Sequence, residues 1–220
     1  MKHEQQLSIS VAGTSVELLG GRALYWPEGK MMCIADAHFG KAAAFRELGQ
    51  PVPSGTTSSN LKRLDALIAA SDVEHVVFLG DFLHAKSSLT ASLLHTLTAW
   101  RGHYPRLKCT LVRGNHDKRA GDPPRSLQFD VVDEPYLVGP FALAHHLKPH
   151  PTHHVIAGHI HPVYMLRGIA RQTLRLPCFV VSEGMTLVPS FGEFTGGYEI
   201  EPDERDWVFV TDGEGIWRAH

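Results

Sequence analysis

The sequence is poor in cysteine, in long apolar runs and in net charge, and each shortage removes a class of protein. Its three cysteines, Cys33, Cys109 and Cys178, lie far apart and form no CxxC pair. A disulfide framework and a thiolate zinc module are thereby excluded, and three buried free thiols are expected. No apolar stretch approaches the ~18 residues of a membrane span. Residues Met1 to Gln6 are polar and lack the apolar core of a secretory signal, so the expected location is the cytosol. Lysine and arginine number 21 against 23 aspartates and glutamates, a net charge of −2. The chain is no polycation, and a nucleic-acid partner would have to be met by a local basic surface. With no internal repeat, low-complexity tract or clear linker, residues 1–220 are expected to form one domain.

Histidine is the exception, with 15 copies. It is the commonest metal ligand and titrates near neutrality, so its placement decides its meaning. The pattern of elements supplies the frame. Leu7 to Val11 and Thr14 to Leu18 alternate apolar and polar residues around Ala12-Gly13, a hairpin signal. Short apolar runs at Met31 to Ala35, His75 to Leu79 and Leu107 to Val112 read as buried strands. Helices are expected over Lys41 to Leu48, from a cap at Ser58 or Ser59 to Ala70, and over Leu89 to Trp100. Between the first two lies a loop, Pro51-Val52-Pro53-Ser54-Gly55. The second half reads mostly as strands: Phe129 to Val132, Phe141 to Ala144, His154 to Ala157, Val163 to Leu166, Thr173 to Leu176, Phe179 to Val181 and Trp207 to Val210. Two sheets packed face to face, with helices outside, satisfy both halves.

Five chemical clusters each follow one of these strands: Asp36-Ala37-His38, Gly80-Asp81, Gly114-Asn115-His116-Asp117, His145-His146 and Gly158-His159-Ile160-His161. Loops after strand C-termini are where α/β folds hold ligands. Asp36 and His38 are two apart, so both can face one region, and His159 and His161 repeat the spacing. The glycines permit sharp turns and keep bulk away. A donor set of Asp, Asn and His without thiolate suits Mn, Fe, Co or Zn. Two metals side by side need a bridging carboxylate, and Asp81, alone in the middle of the set, is the natural bridge.

These clusters resemble the calcineurin-like metallophosphoesterases, whose pattern is DxH, GD, GNHD, a lone His and GHxH; all appear here in order from Asp36 to His161. The resemblance implies a four-layer α/β/β/α sandwich with metals at one edge. It implies that Asp36, His38 and His161 hold a first metal, that Asn115, His145 and His159 hold a second, and that Asp81 bridges them. A hydroxide between the metals would attack the phosphorus. His116 would face the leaving-group oxygen, with Asp117 orienting its ring. His145 is preferred to its neighbour His146 as ligand because it comes first after the apolar strand. His84 would face the scissile phosphate or the leaving group, or else serve as a loop histidine bonded to backbone.

The flanking sequence is similar to the bacterial ligase-associated DNA-damage-response endonucleases: Asp36 to Lys41, Phe45-Arg46, Pro51 to Gly55, Gly80 to Ala85 and Ala157 to Pro162 all fit. This implies a manganese-dependent cut in DNA, with repair proteins such as a ligase or helicase as partners. Lys41, Arg46, Lys86, Lys118, Arg119 and Lys148 follow metal clusters closely and are candidates to meet phosphates; as a surface they would be merely solvated. Two alternatives stand beside the DNA enzyme. One is a small-molecule phosphodiesterase, nucleotide pyrophosphatase or phosphomonoesterase with the same two metals. The other is a non-catalytic scaffold. His3, His75, His95, His103, His150, His153, His154 and His220 fit no motif and read as surface or structural.

Overall fold

The computed structural model describes residues 4–47, 49–52, 55–168 and 172–220. His3, the expected helix end at Leu48, and Pro53 and Ser54 of the expected loop lie outside them. The first half builds β1 (Gln6–Val11), β2 (Thr14–Leu19), β3 (Ala23–Trp26), β4 (Met31–Ile34), α1 (Lys41–Glu47), α2 (Thr56–Ala69), β5 (His75–Leu79), α3 (Ala91–His103), β6 (Lys108–Val112) and α4 (Asn115–Ala120). Then come strands alone: β7 (Asp130–Val132), β8 (Tyr136–Val138), β9 (Phe141–Ala144), β10 (His154–Ala157), β11 (Pro162–Arg167), β12 (Thr173–Ser182), β13 (Met185–Leu187), β14 (Tyr198–Glu199), β15 (Trp207–Thr211) and β16 (Ile216–Arg218).

Both sheets are mixed. The first runs β1 to β7 in chain order, antiparallel as far as β4 and parallel from β4 to β7. The second runs β14-β11-β12-β13-β10-β9-β8, with β10 parallel to both β9 and β13, and β15 pairing β12. The run Met31 to Ile34 is buried on both faces, as a parallel interior strand requires. Met31 and Cys33 meet Phe141, Leu143, Ile156 and Phe179 of the facing sheet. Met32 and Ile34 point the other way, into a layer with Leu61 and Leu64 of α2 and Leu97 and Trp100 of α3. One strand thus cements two cores because its side chains alternate. Cys33, Cys109 and Cys178 are free and buried, and burial pushes the Cys33 thiol up to about 12.

Four features depart from the sequence reading. The α2 helix starts at Thr56, with Gly55 as its cap at φ 88° and no side-chain cap bond, rather than at Ser58 or Ser59. The segments Thr173 to Leu176 and Phe179 to Val181 are one strand. Pro177, which cannot donate to a ladder, sits where the strand changes partner, from β11 to β15. The GNHD segment begins a short helix rather than a loop. Finally, every α-helix among the described residues precedes Gly121. The outer face of the second sheet is therefore covered without a helix, in part by Leu147, Ile160 and Trp217, and the fourth layer is loop and strand. Ala142, Ala144, Val155 and Ala157 form a small-residue patch on that face.

Candidate metal centre

Strands β4, β5 and β6 are parallel neighbours, so the segments after them emerge at one sheet edge; β9 and β10 do the same in the second sheet. Backbone bonds knit these exits together. The amides of Asp36 and His38 donate to the carbonyls of Gly80 and Asp81 at 3.3 and 2.9 Å. Across the sheets, the His159 amide donates to Asp36 Oδ2 at 2.8 Å. The exits are also strained: Asp36 (φ 53°), His38 (45°), Asp81 (50°), His159 (71°) and His161 (53°) all take left-handed backbone. Each such residue costs about 1–3 kcal/mol, and this strain clusters at functional sites. Two glycines are there for room. A Cβ at Gly80 would enter the His145 ring, and one at Gly114 would enter the Asp81 carboxylate.

The seven residues expected as ligands converge in two lobes. In one, Asp36, His38 and His161 bring ligand atoms within 4.8 Å of one another. In the other, His145 Nε2 lies 2.9 Å from Asn115 Oδ1 and 3.0 Å from His159 Nδ1. Asp81 stands between them. Its Oδ1 is 3.5 Å from His145 Nε2, and its Oδ2 is 3.8 Å from His38 Nε2. Backbone carbonyls set the tautomers. His145 Nδ1 donates to Leu79 O at 3.0 Å and His161 Nδ1 to Thr195 O at 3.0 Å, which leaves each Nε2 a bare acceptor aimed inward.

These atoms fit a cation. Asp36 Oδ1 is buried without a hydrogen-bond donor, a costly arrangement for a carboxylate oxygen. His145 Nε2 and Asn115 Oδ1 are both acceptors, yet they face each other. Burial pushes His38 down to about 2, helped by the charges of Lys41, His161, His116 and His84. Burial likewise lowers His145 and His159, so these imidazoles are neutral, the form that binds metal. For His161, burial pulls down but the neighbouring Asp36 carboxylate prevails and raises it. Asp81 is raised, first by burial and then by the neighbouring Asp36.

His116 and His84 form the wall beside the first lobe. His116 Nδ1 donates to the His84 carbonyl at 2.8 Å, which turns its Nε2 toward Asp81 Oδ2 at 4.0 Å. The His84 ring stacks on His116, with centroids 5.3 Å apart, and burial pushes it down to about 4. The expectation for Asp117 is corrected. It does not orient the His116 ring; its carboxylate accepts the amides of Asp81 (2.7 Å), Phe82 (3.0 Å) and Gly114 (2.9 Å). Asp117 thus staples the GD turn to the GNHD turn, and the His84 carbonyl holds the ring.

The basic candidates divide. Lys41 is half-buried near Asp81 and Asp36, whose charges act on it, and burial lowers it. Lys118 is exposed on α4 and lines a cavity with His146. Arg46 reaches the Val52 carbonyl at 3.4 Å, and Lys86 and Arg119 are exposed. One residue had no sequence signal at all. Glu134 Oε2 accepts the amides of His145 (2.9 Å) and His146 (2.8 Å), while Oε1 meets His146 Nδ1 at 2.7 Å. It clamps the segment that carries His145 and is reached only through the fold.

The family model for the calcineurin-like phosphoesterases matches residues 29–139. The chain belongs to this family, and it is a metal-dependent phosphoesterase. Among solved structures, the Pseudomonas putida nuclease MPE is similar at 44% identity and a TM-score of 0.87, over 97% of this chain and 100% of that one. A comparison with curated proteins finds no match.

Proposed function

We propose that this phosphoesterase is a DNA endonuclease with two divalent metals, manganese in first place. The observation that carries the nucleic-acid part is the full-length likeness to a nuclease at 44% identity. The metal part is supported by the split of Asp81 between the two lobes. Asp36, His38 and His161 would hold one ion, Asn115, His145 and His159 the other, with Asp81 shared. His145 is favoured over His146 because its Nε2 faces Asn115 and Asp81, whereas His146 is engaged by Glu134. Bound there, such ions lower the pKa of water and neutralise phosphate charge. The chain itself holds the scissile phosphate near Lys41 and presents His116 Nε2 to the leaving oxygen, as proton donor or stabiliser of developing charge. Manganese is supported by the Asp, Asn and His donor set. A role in DNA repair, beside a ligase or helicase, is supported by the flanking sequence of the motifs.

The test is digestion of closed circular plasmid and circular single-stranded DNA with manganese, beside an Asp81→Ala control. Cutting by the wild type alone is expected, and circles have no ends for an exonuclease. Intact circles together with rapid hydrolysis of an aryl phosphodiester would move the substrate to small molecules.

A further inference from the structure

A cavity of about 480 Å³ opens on the outer face of the second sheet, directly beside the second lobe. Its volume lies within the range of small-ligand sites. Its floor is Ala142, Ala144 and Val155, the small outward residues of β9 and β10, and the hollow exists because no large side chain stands there. Pro135 and Pro149 add flat apolar walls. His146 joins the cavity to the site: it lines the cavity, and its ring lies 4.5 Å from that of His159.

The charge on the rim is unevenly committed. Asp133 is paired with Arg113 at 3.0 Å, and Glu134 with His146. Lys118 and Lys148 are both exposed, and among the described residues the rim's acidic groups pair with Arg113 and His146 rather than with them. An apolar, flat-walled hollow with two exposed lysines and a direct connection to a phosphoesterase centre matches a planar base on a phosphorylated sugar. The imidazoles of His146 and His150 in the lining are ring faces of the kind on which bases stack, and lysines meet the adjoining phosphates.

We infer that this cavity is a nucleoside subsite, taking the residue on the side of the scissile phosphate away from His116. The placement follows from the layout: His116 and His84 border the first lobe, and the cavity borders the second. The inference rests on the nuclease reading.

The experiment compares two esters that both release p-nitrophenol, with manganese as the metal: bis(p-nitrophenyl) phosphate and the p-nitrophenyl ester of thymidylate. In the second, the nucleoside is the group that stays. The wild type is expected to have a KM about tenfold lower for the nucleoside ester, the scale of one stacked base. Ala142→Leu, which fills the floor, removes that advantage and leaves kcat/KM for the bis ester unchanged. Lys148→Gln, a surface change that does not threaten folding, moves the same KM in the same direction by a smaller factor. A KM advantage that survives in both variants would overturn the subsite and leave the cavity to another occupant, such as a peptide of a partner. Plasmid nicking by the wild type, run in parallel, separates the two ideas. If the wild type cuts DNA but the variants keep the advantage, the subsite alone falls. If it neither cuts DNA nor favours the nucleoside ester, the nuclease reading falls and takes the subsite with it.

Discussion

Asp36 and His38 are buried on the floor of the site, at 0% and 5% exposure, whereas His159 stands exposed at its mouth and Asn115 is half-buried. The first lobe is aimed chiefly by its backbone: Asp36, His38 and His161 all take left-handed conformations, and the Thr195 carbonyl holds the His161 ring. The second lobe is aimed more by the partners of its side chains. Its buried His145 depends on the Leu79 carbonyl, on Asn115 and, through the backbone, on Glu134 eleven positions earlier. The difference teaches that the two lobes need not be equally robust, and that the site is open to solvent on the second side, at His159.

Breaking what the lobes share gives the largest effect. Asp81→Asn removes charge from both, and kcat/KM is expected to fall by about a thousandfold or more, the several kcal/mol that metal stabilisation supplies. Elemental analysis of the purified variant should find both metals depleted; full metal content would remove Asp81 from the bridge. His116→Ala breaks neither lobe. Turnover should drop by about 10²–10⁴-fold, as for loss of a general acid, with metal content intact. A variant that also loses metal would make His116 a structural residue instead.

Glu134→Ala sharpens the contrast, since it touches the second lobe alone. Manganese titration followed by calorimetry should show one site weakened by about 10–100-fold, the usual effect of losing a ligand's supporting contact, and the other unchanged. Equal weakening of both would mean that the lobes are one unit. The smallest effect is pH dependence of the metal-free fold. Burial holds His75 and His154 down at about 4, against an ordinary value of 6.5. The unfolded chain therefore takes up protons that the folded chain refuses. Stability is full above 6.5 and declines as pH falls from there toward 4; His161, which is raised, works the other way. Thermal melts of metal-free protein from pH 7.5 down to about 5 should show a falling midpoint, and a flat or rising one would contradict this balance.

Much of the site was legible because metal motifs are local. Each cluster begins within two residues of a strand end, and strands with two buried faces announce themselves as apolar runs. The missed strands, β3, β8, β13, β14 and β16, have two to four residues each, too few for a period of two to register. The α4 helix was missed because six residues headed by Gly114 carry no helical periodicity. The role of Asp117 was misread because its partners, the amides of Asp81 and Phe82, lie more than thirty positions away.

By itself, the sequence determined the donor types, their order and their attachment to strand ends, since these depend on residue chemistry and on spacings of a few residues. Only the tertiary structure decided which oxygen of Asp81 faces which lobe, that Glu134 clamps His145 and His146, and that a hollow lies beside them. Those outcomes depend on sheet order and on the packing of segments distant in the chain, and no local pattern encodes the distance between two strands.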